Sequence, residues 1–404
     1  MQSCYDSTAF TAFNVGQLPH IQFGRQSIRQ LPKLIQRYGE TTLLVTGKRS
    51  FVGSEHWPEL LVALQDQGIT WHHITVENEP SPALVDAAVA AHKNHRIQSV
   101  VAIGGGSVLD AAKAIAGLLL PGNSVMDHLE GVGKGLPYVG PAVPLIAVPT
   151  TAGTGSEATK NAVLSQHGPQ GFKKSFRDDQ LVAAVALIDP DLLANCPPAQ
   201  IAANGMDALT QLMESYVSSN ASPFTDALAW SGMVAFSQGF WSAWTTDHPE
   251  ADTGYAQLAY ASLMSGITLA QAGLGSVHGL ASPLGAFFPI PHGVVCGTLL
   301  AEATAVNIAA LSDRQPDSPA LAKYARVGRL LSADDTLADV AACTQLVDTL
   351  RLWTAHLAMP RLSHFGMTED DYPRVCAKAR GGSMKTNPLV VSDAELTRIL
   401  SARL

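Results

Sequence analysis

The first 190 residues alternate short apolar runs with helical segments, and this alternation constrains the fold more than any other feature. Five segments have the composition of strands: 41–47, 70–76, 99–105, 144–150 and 181–190. Helices are predicted between the early strands at 59–68, 81–95 and 107–120. Strands separated by helices of this length pair in parallel. The apolar runs lack a clean alternation with polar residues, as expected for strands that are covered on both faces.

After Pro190 the pattern becomes helical nearly to Leu404, and the helices are interrupted at "SNASPF", "QAGLGS", "FFPIPHG" and "KTNPLV". We therefore predict an α/β N-terminal domain over residues 1–190, with a Rossmann-like parallel sheet. An all-α C-terminal domain is predicted over residues 191–404.

Composition excludes several classes of partner. The chain has a net charge of −8 with 15% charged residues, which argues against nucleic acid or an anionic membrane as the main partner. Its longest apolar runs fall short of the ~20 residues that span a bilayer, and its beginning has no signal-peptide pattern. Its five cysteines have neither metal-ligand nor redox spacing, which favours a reduced, cytoplasmic compartment. They are Cys4, Cys196, Cys296, Cys343 and Cys376.

A glycine-rich turn follows the strand at 99–105. In "GGGSVLDAAKAIA", Gly104, Gly105 and Gly106 allow close approach of a ligand to the backbone, and Ser107 opens a helix. The positive end of that helix favours a pyrophosphate. Such a turn is not the usual GxGxxG pattern, and a simple tight turn is the alternative.

A second loop strengthens the prediction of a nucleotide site. "AVPTTAGTGSEAT" (147–159) follows another strand and carries Thr150, Thr151, Thr154 and Ser156, whose hydroxyls suit a ribose or a phosphate. Loops after two parallel strands meet at the carboxyl edge of the sheet, where ligands of open α/β sheets bind.

The end of the first predicted strand bears on the choice of dinucleotide. It carries Gly47, Lys48 and Arg49 and no acid. An acid there would bind the ribose 2′-hydroxyl and repel a 2′-phosphate, so this pattern favours NADP(H) over NAD(H). A solvated basic turn is the alternative interpretation.

The helix "GMDALTQLMESYVSS" (205–219) places Asp207 and Gln211 four residues apart on one face. His278 lies on another apolar helix, and His292 begins a third. A buried carboxylate needs a partner, and a cation would supply one. The alternatives are a helix cap for Asp207 and hydrogen-bonded core positions for the two histidines.

Five motifs occur in the same order as in the iron-containing (group III) alcohol dehydrogenases, and the chain resembles that family from about residue 12 to residue 400. They are "GGGSVLDAAKAIA", "VPTTAGTGSEAT", "GMDALTQLMESYVS", "GLGSVHGLASPLGAFFPIPHG" and "KTNP"; "VENEPSP" (76–82) is also similar. The resemblance implies a dehydroquinate-synthase-like architecture, an active site between two domains, and a homodimer or higher homo-oligomer.

The resemblance also implies residue roles. The turn at 104–107 would hold the pyrophosphate, the loop at 150–159 would line the rest of the dinucleotide, and Asp110 would lie near the nicotinamide. The metal ligands would be Asp207, Gln211, His278 and His292. The sequence departs from the family at Gln211, where histidine is usual, and at Ser282, where a second histidine is frequent.

Replacing histidine by Gln211 preserves the charge around a divalent ion but provides a poorer donor to Fe²⁺ or Zn²⁺. A bound amide oxygen, a three-ligand site completed by water, and a metal-free site all remain open. A metal would polarise the substrate oxygen; without one, Lys160 or a protonated His278 or His292 is the candidate electrophile. Ser282 leaves a weaker proton relay, since a hydroxyl does not store a proton near neutral pH.

The predicted function is an NAD(P)-dependent oxidoreductase that interconverts a small alcohol and an aldehyde or ketone, assisted by Fe²⁺ or Zn²⁺. A metal-independent oxo-acid reductase of the maleylacetate reductase type is the first alternative. A dehydroquinate-synthase-like lyase is the second, but residues 200–300 are nearly free of the Lys and Arg that a phosphorylated substrate needs. A non-catalytic nucleotide-binding protein is the third.

Overall fold

The structure is a computed structural model that describes residues 12–166, 168, 171–245 and 247–404. Cys4 and the rest of residues 1–11, to which most of the signal-peptide prediction applies, lie outside the described residues.

Six parallel strands form one sheet, in the spatial order β1-β8-β5-β4-β2-β3. The strands are β1 (His20–Phe23), β2 (Thr41–Gly47), β3 (Thr70–Val76), β4 (Ser99–Gly104), β5 (Leu145–Pro149) and β8 (Val185–Ile188). The helices beside them are α1 (Leu31–Gln36), α2 (His56–Asp66), α3 (Pro82–His92) and α4 (Gly106–Leu118). The predicted α/β class with a parallel sheet is confirmed.

The structure differs from the predicted strands at three places, and the first is β1, an edge strand that was not predicted. The run 181–190 is a strand only over β8, because Asp178 caps a 3₁₀ turn at Asp179–Leu181. Between β5 and β8 the chain also forms an antiparallel hairpin that was not predicted, made of β6 (Asn161–Gln166) and β7 (Phe172–Arg177).

The remainder of the described chain is helical, as predicted. Its α-helices are α5 (Pro198–Val217), α6 (Pro223–Trp244), α7 (Ala251–Ala272), α8 (Ser276–Phe287), α9 (His292–Arg314), α10 (Pro319–Ser332), α11 (Asp339–His356), α12 (Tyr372–Ala379) and α13 (Asp393–Ala402). By length and composition α9 is apolar enough to cross a bilayer, but 72% of its most apolar window is buried within the protein. That degree of burial is typical of the core helix of a globular protein.

One buried apolar cluster joins the sheet to the helices, since it contains Ala186 and Ile188 of β8 as well as residues of α5, α6 and α7. Ala152 and Ala158, in the loop after β5, belong to the same buried cluster as Phe236 and Phe240 of α6. The loop also meets α7 backbone to backbone, since a Cβ on Gly266 would lie 2.0 Å from the carbonyl oxygen of Gly155. The carboxyl edge of the sheet is therefore fixed against the helices.

Candidate active site

The glycine turn and the threonine loop meet because β4 and β5 are neighbours in the sheet. Gly104 pairs with Pro149 at the ends of these strands, and the amide of Thr150 donates to the carbonyl oxygen of Gly104 at 3.0 Å. The predicted meeting of the two loops at one sheet edge is therefore observed.

Two glycines of the turn have different surroundings. A Cβ on Gly105 would lie 3.3 Å from the side chain of Thr151, so the bare backbone allows the loops to approach. A Cβ on Gly106, the first residue of α4, would meet nothing within 4 Å. Among the described residues no side chain caps this helix, so its first amides are available to an anion.

A cavity of about 110 Å³ lies beside this turn. Its wall combines the turn, the threonine loop, the segment after β2 and the start of α5. The lining residues are Ser50, Phe51, Ser54, His56, Gly105, Thr150, Thr151, Leu192, Asn195, Cys196, Pro197 and Gln200. This mixture of bare amides, hydroxyls and apolar walls suits part of a dinucleotide.

The basic residues after β2 differ in their partners. Lys48 pairs with Glu77, which follows β3, at 2.8 Å, and both side chains are exposed. Arg49 is exposed and forms no ion pair within the described ranges. Gly47 ends β2, where a Cβ would make ordinary contacts with the side chains of Val108 and Ser50.

Asp110 and Ser156, which were predicted to bind the cofactor, take part in an internal hydrogen-bond network. Asp110 accepts hydrogen bonds from Ser156 at 2.5 Å, from Lys113 at 3.2 Å and from the amide of Val163 at 3.1 Å. The fully buried ammonium of Lys113 also donates to Ser156, to Thr159 and to the carbonyl oxygen of Asn161. This network joins α4 to β6 and to the loop after β5.

Thr154, which was also predicted at the cofactor, contacts the other half of the site. Its hydroxyl donates to Oδ2 of Asp207 at 2.8 Å. Asp207 occupies the middle of α5 and not its start, so the capping interpretation is wrong.

Asp207, His278 and His292 come together from three helices, and we call them the Asp–His–His cluster. Oδ1 of Asp207 lies 3.2 Å from Nε2 of His278 and 3.7 Å from Nε2 of His292. His278 is in the first turn of α8, and His292 begins α9. Asp207 and His278 are buried, whereas His292 is partly exposed.

The charges of the cluster act on one another. Burial opposes ionisation of Asp207, but His292, His278 and the Thr154 hydroxyl hold the pKa of that carboxyl well below its usual range. Burial lowers the pKa of His292 to about 4, against the opposing charge of Asp207, so this imidazole is neutral at pH 7. Burial is also the largest influence on His278, but Cys296, Asp207 and Glu214 raise the pKa of this imidazole well above its ordinary value.

Glu214 was not singled out from the sequence, although it lies seven residues after Asp207 on the same helix. Its Oε2 is 2.7 Å from Nδ1 of His278, and its Oε1 accepts from the amide of Val277 at 2.7 Å. A carboxylate on one ring nitrogen orients the other nitrogen toward a metal or a proton.

Gln211 is fully buried on the helix of Asp207. Its amide nitrogen donates to the carbonyl oxygen of Thr154 and to the hydroxyl of Ser265, each at 3.0 Å. Oε1 of Gln211 and Nδ1 of His292 are buried without a hydrogen-bond partner among the described residues.

Cys296 is a further residue that sequence reasoning missed. With Asp207, His278 and His292 it offers four donor atoms that all lie within 4.8 Å of one another. Oxygen, imidazole and sulfur donors at these separations suit a divalent transition metal. The residues present therefore fit the metal that the resemblance implies.

Lys160 and Ser282 are the two remaining residues that were predicted to take part in catalysis. Lys160 pairs with Asp179 at 2.7 Å in an exposed salt bridge, so the structure does not bring it to the cluster. The hydroxyl of Ser282 donates to the carbonyl oxygen of Lys173 at 3.4 Å.

Lys173, on β7, is a cation near the cluster that the sequence did not indicate. Its side chain is 12% exposed and pairs with Glu79, which also accepts a hydrogen bond from Ser165. The charges of Lys173 and Glu79 both act on His292.

Comparison with known proteins agrees with this geometry. Residues 19–190 match the family model for iron-containing alcohol dehydrogenase, and residues 201–404 match the model for the C-terminal part of the Fe-containing alcohol dehydrogenase family. The chain is similar to alcohol dehydrogenase 4 of Schizosaccharomyces pombe, with 30% identity over 94% of this chain and 86% of that protein.

Two further relatives are also named as a dehydrogenase or an oxidoreductase. The NAD-dependent methanol dehydrogenase of Bacillus methanolicus is 27% identical over 95% of this chain and 97% of its own length. The crystal structure of a 1,3-propanediol oxidoreductase superimposes with a TM-score of 0.87 at 27% identity, covering 98% of this chain and all of that one. This chain is an enzyme of the same class, an NAD(P)-dependent alcohol dehydrogenase, and it belongs to the iron-containing alcohol dehydrogenase family.

Proposed function

We propose that the protein transfers a hydride between a nicotinamide dinucleotide and a small alcohol or its carbonyl product. The dinucleotide binds at the turn 104–107 with Thr150 and Thr151. The substrate binds beside the Asp–His–His cluster. The observation that carries this proposal is the position of Thr154 between the two sites. Its loop begins at the dinucleotide cavity, and its hydroxyl binds Asp207 at 2.8 Å. Cofactor and substrate sites are thus connected by a single short loop.

The chain contributes binding, orientation and proton handling. Amides at the start of α4 hold the pyrophosphate, and Glu214 keeps Nε2 of His278 turned toward Asp207. Asp207, His278 and His292 would hold a divalent metal, with Gln211 as the fourth ligand expected from the sequence. A bound metal supplies a Lewis acid that polarises the substrate oxygen.

The preference for NADP(H) over NAD(H) belongs to this proposal. It is supported by the absence of an acid at the end of β2 and by Arg49, which can meet a 2′-phosphate. The Lys48–Glu77 pair reduces the local positive charge, and one relative is named for NAD dependence. The ratio of kcat/KM for the two cofactors measures the preference, and Arg49→Ala should lower it while Lys33→Ala, an exposed control, leaves it unchanged.

Lys173 supports one alternative, the metal-independent reductase of an oxo-acid. Its ammonium lies close enough to His292 to lower the pKa of that imidazole. A cation there could bind a substrate carboxylate without a metal. This alternative requires hydride transfer that persists after chelation.

We also propose how the chain is divided into domains and how it assembles. We assign residues 1–190 to a dinucleotide-binding domain and residues 191–404 to a metal and substrate domain, in a cytoplasmic homodimer. The edge strand β1 and the exposed side chains of Phe13, Val15 and Phe23 offer a surface to a second copy. Light scattering on the purified protein tests the dimer.

Oxidation of NADH and NADPH with a panel of small aldehydes, ketones and oxo-acids tests the proposed activity. The protein is assayed as purified, after exhaustive chelation, and after return of Fe²⁺ or Zn²⁺. Activity that disappears on chelation and returns with metal supports the proposal. Full activity with oxo-acids after chelation transfers the assignment to the alternative, and no oxidation of either cofactor by any carbonyl compound contradicts both.

A further inference from the structure

The fourth ligand of the metal site can be inferred from α9. Cys296 follows His292 by four residues, so both side chains lie on one face of the helix, one turn apart. The thiol is fully buried. Its sulfur lies 3.6 Å from Nε2 of His278 and 3.9 Å from Nε2 of His292.

These separations resemble the edges of a coordination tetrahedron. A tetrahedral metal with sulfur at about 2.3 Å and nitrogen or oxygen at about 2.0–2.1 Å has sulfur–nitrogen edges of about 3.6 Å and nitrogen–oxygen edges of about 3.3 Å. The observed sulfur–nitrogen distances are 3.6 and 3.9 Å. The distances from Oδ1 of Asp207 to the two imidazoles are 3.2 and 3.7 Å.

Gln211 is the competing ligand, because its Oε1 is buried without a hydrogen-bond donor in the described parts of the chain. Its amide nitrogen, however, has a role that requires no metal. It donates to the carbonyl oxygen of Thr154 and to Ser265, and so ties the loop after β5 to α5 and α7.

The type of donor atom favours the thiolate. Sulfur is a softer donor than an amide oxygen and suits Zn²⁺ better.

We propose that Cys296 is the fourth metal ligand, so that Asp207, His278, His292 and Cys296 form a tetrahedral site with a preference for Zn²⁺, and that Gln211 positions the Thr154 loop without binding the metal. The inference rests on the proposed function, because it assigns the ligands of the same site. Binding forms a metal–sulfur bond and breaks the S–H bond of Cys296, whose proton passes to the solvent.

Cobalt binding to the metal-free full-length protein tests the assignment directly. Co²⁺ bound by a thiolate shows a sulfur-to-metal charge-transfer band in the near ultraviolet, and X-ray absorption of the zinc form measures a sulfur neighbour at about 2.3 Å. The variants are Cys296→Ser and Gln211→Leu. Cys343→Ser is the matched control, because Cys343 is also buried but its sulfur faces the carbonyl oxygen of Leu321.

We expect one Co²⁺ per chain and the charge-transfer band in wild type, Cys343→Ser and Gln211→Leu. Cys296→Ser should lose the band and bind Zn²⁺ at least about tenfold more weakly in competition with a chelator. Wild type that binds Co²⁺ without the band, or Cys296→Ser that keeps it, overturns the inference. If the wild type binds neither ion, the inference fails as well, and oxidation of the nicotinamide cofactor by the same sample shows whether the proposed function survives.

Discussion

Oε2 of Glu214 lies 2.7 Å from Nδ1 of His278, and this contact fixes which nitrogen of the imidazole faces Asp207. The two carboxylates therefore lie at opposite ends of one ring. A buried carboxylate on the far nitrogen of a metal-binding histidine raises the basicity of the ligand and sets its orientation.

Glu214→Gln should weaken metal binding about 10- to 100-fold, because an amide provides no charge to stabilise the correct form of His278. Zinc affinity measured by chelator competition checks this result. Glu302→Gln is a suitable control, because Glu302 forms a surface pair with Arg351. Unchanged affinity in Glu214→Gln would show that the contact does not support the metal site.

Gly106→Ala should leave the fold intact but weaken binding of the dinucleotide. The added methyl group projects into open space beside the uncapped start of α4. Alanine is also a better helix former than glycine by about 0.5–1 kcal/mol, so thermal stability should not fall. We expect KM for the cofactor to rise at least about tenfold through lost amide contacts with the pyrophosphate. Equal KM values in variant and wild type would place the pyrophosphate elsewhere.

Gly266→Ala should be destabilising, since its Cβ would lie 2.0 Å from the carbonyl oxygen of Gly155. Separating two packed backbones costs about 1–3 kcal/mol of unfolding free energy. The shift should also disturb Thr154 and hence Asp207. Denaturant unfolding measures the loss, with Gly24→Ala as the control because a Cβ there meets nothing within 4 Å.

The stability of the protein should depend on pH through Glu157. Burial raises the pKa of this carboxyl to about 7, although a backbone hydrogen bond and Lys113 oppose the rise. The folded state therefore keeps a proton that the unfolded chain releases near pH 4.5. The contribution of Glu157 to the free energy of unfolding is complete below pH 4.5 and is lost as the pH rises to about 7. The loss is about 3 kcal/mol in total.

Unfolding free energies of wild type and Glu157→Gln at a series of pH values isolate this contribution. The difference between the two proteins should change across the window from about pH 4.5 to 7 and stay constant above it. A constant difference at every pH would mean that Glu157 ionises normally.

Lys173→Met and Lys160→Met form a matched pair of lysine variants. Loss of Lys173 leaves Glu79 without its cation beside His292, and we expect the free energy of unfolding to fall by about 1–3 kcal/mol, together with kcat/KM. Lys160 is in an exposed pair with Asp179, so its loss should change stability by less than about 1 kcal/mol and leave kcat/KM unchanged. If the two variants changed kcat/KM equally, Lys173 would have no specific role in the reaction.

Local sequence patterns predicted the parts of this protein that depend on neighbouring residues. The parallel sheet, the turn at 104–107 and the helices carrying Asp207, His278 and His292 follow from apolar runs, glycines and helix breakers. The internal hydrogen-bond partners of Asp110, Ser156 and Thr154 did not follow. Each hydroxyl or carboxylate also suits a nucleotide, and its actual partner is decided by packing between distant segments.

The missed residues have a similar explanation. Cys296 and Glu214 lie one turn from His292 and two turns from Asp207 on their helices, so helical spacing could have indicated them. Spacing alone does not show which of several helix faces point inward. Lys173 lies on the β6–β7 hairpin, which was not predicted, so nothing in the sequence placed its ammonium near α9.

The backbone contact between Gly155 and Gly266 has a thermodynamic consequence. The loop that carries Thr150 and Thr151 at one end and Thr154 at the other has no side chain between itself and α7 at this contact, so it cannot adjust its two ends independently. Occupancy of the cavity and occupancy of the Asp–His–His cluster should therefore be linked. Linkage is reciprocal: the factor by which a dinucleotide changes the affinity for metal equals the factor by which the metal changes the affinity for the dinucleotide.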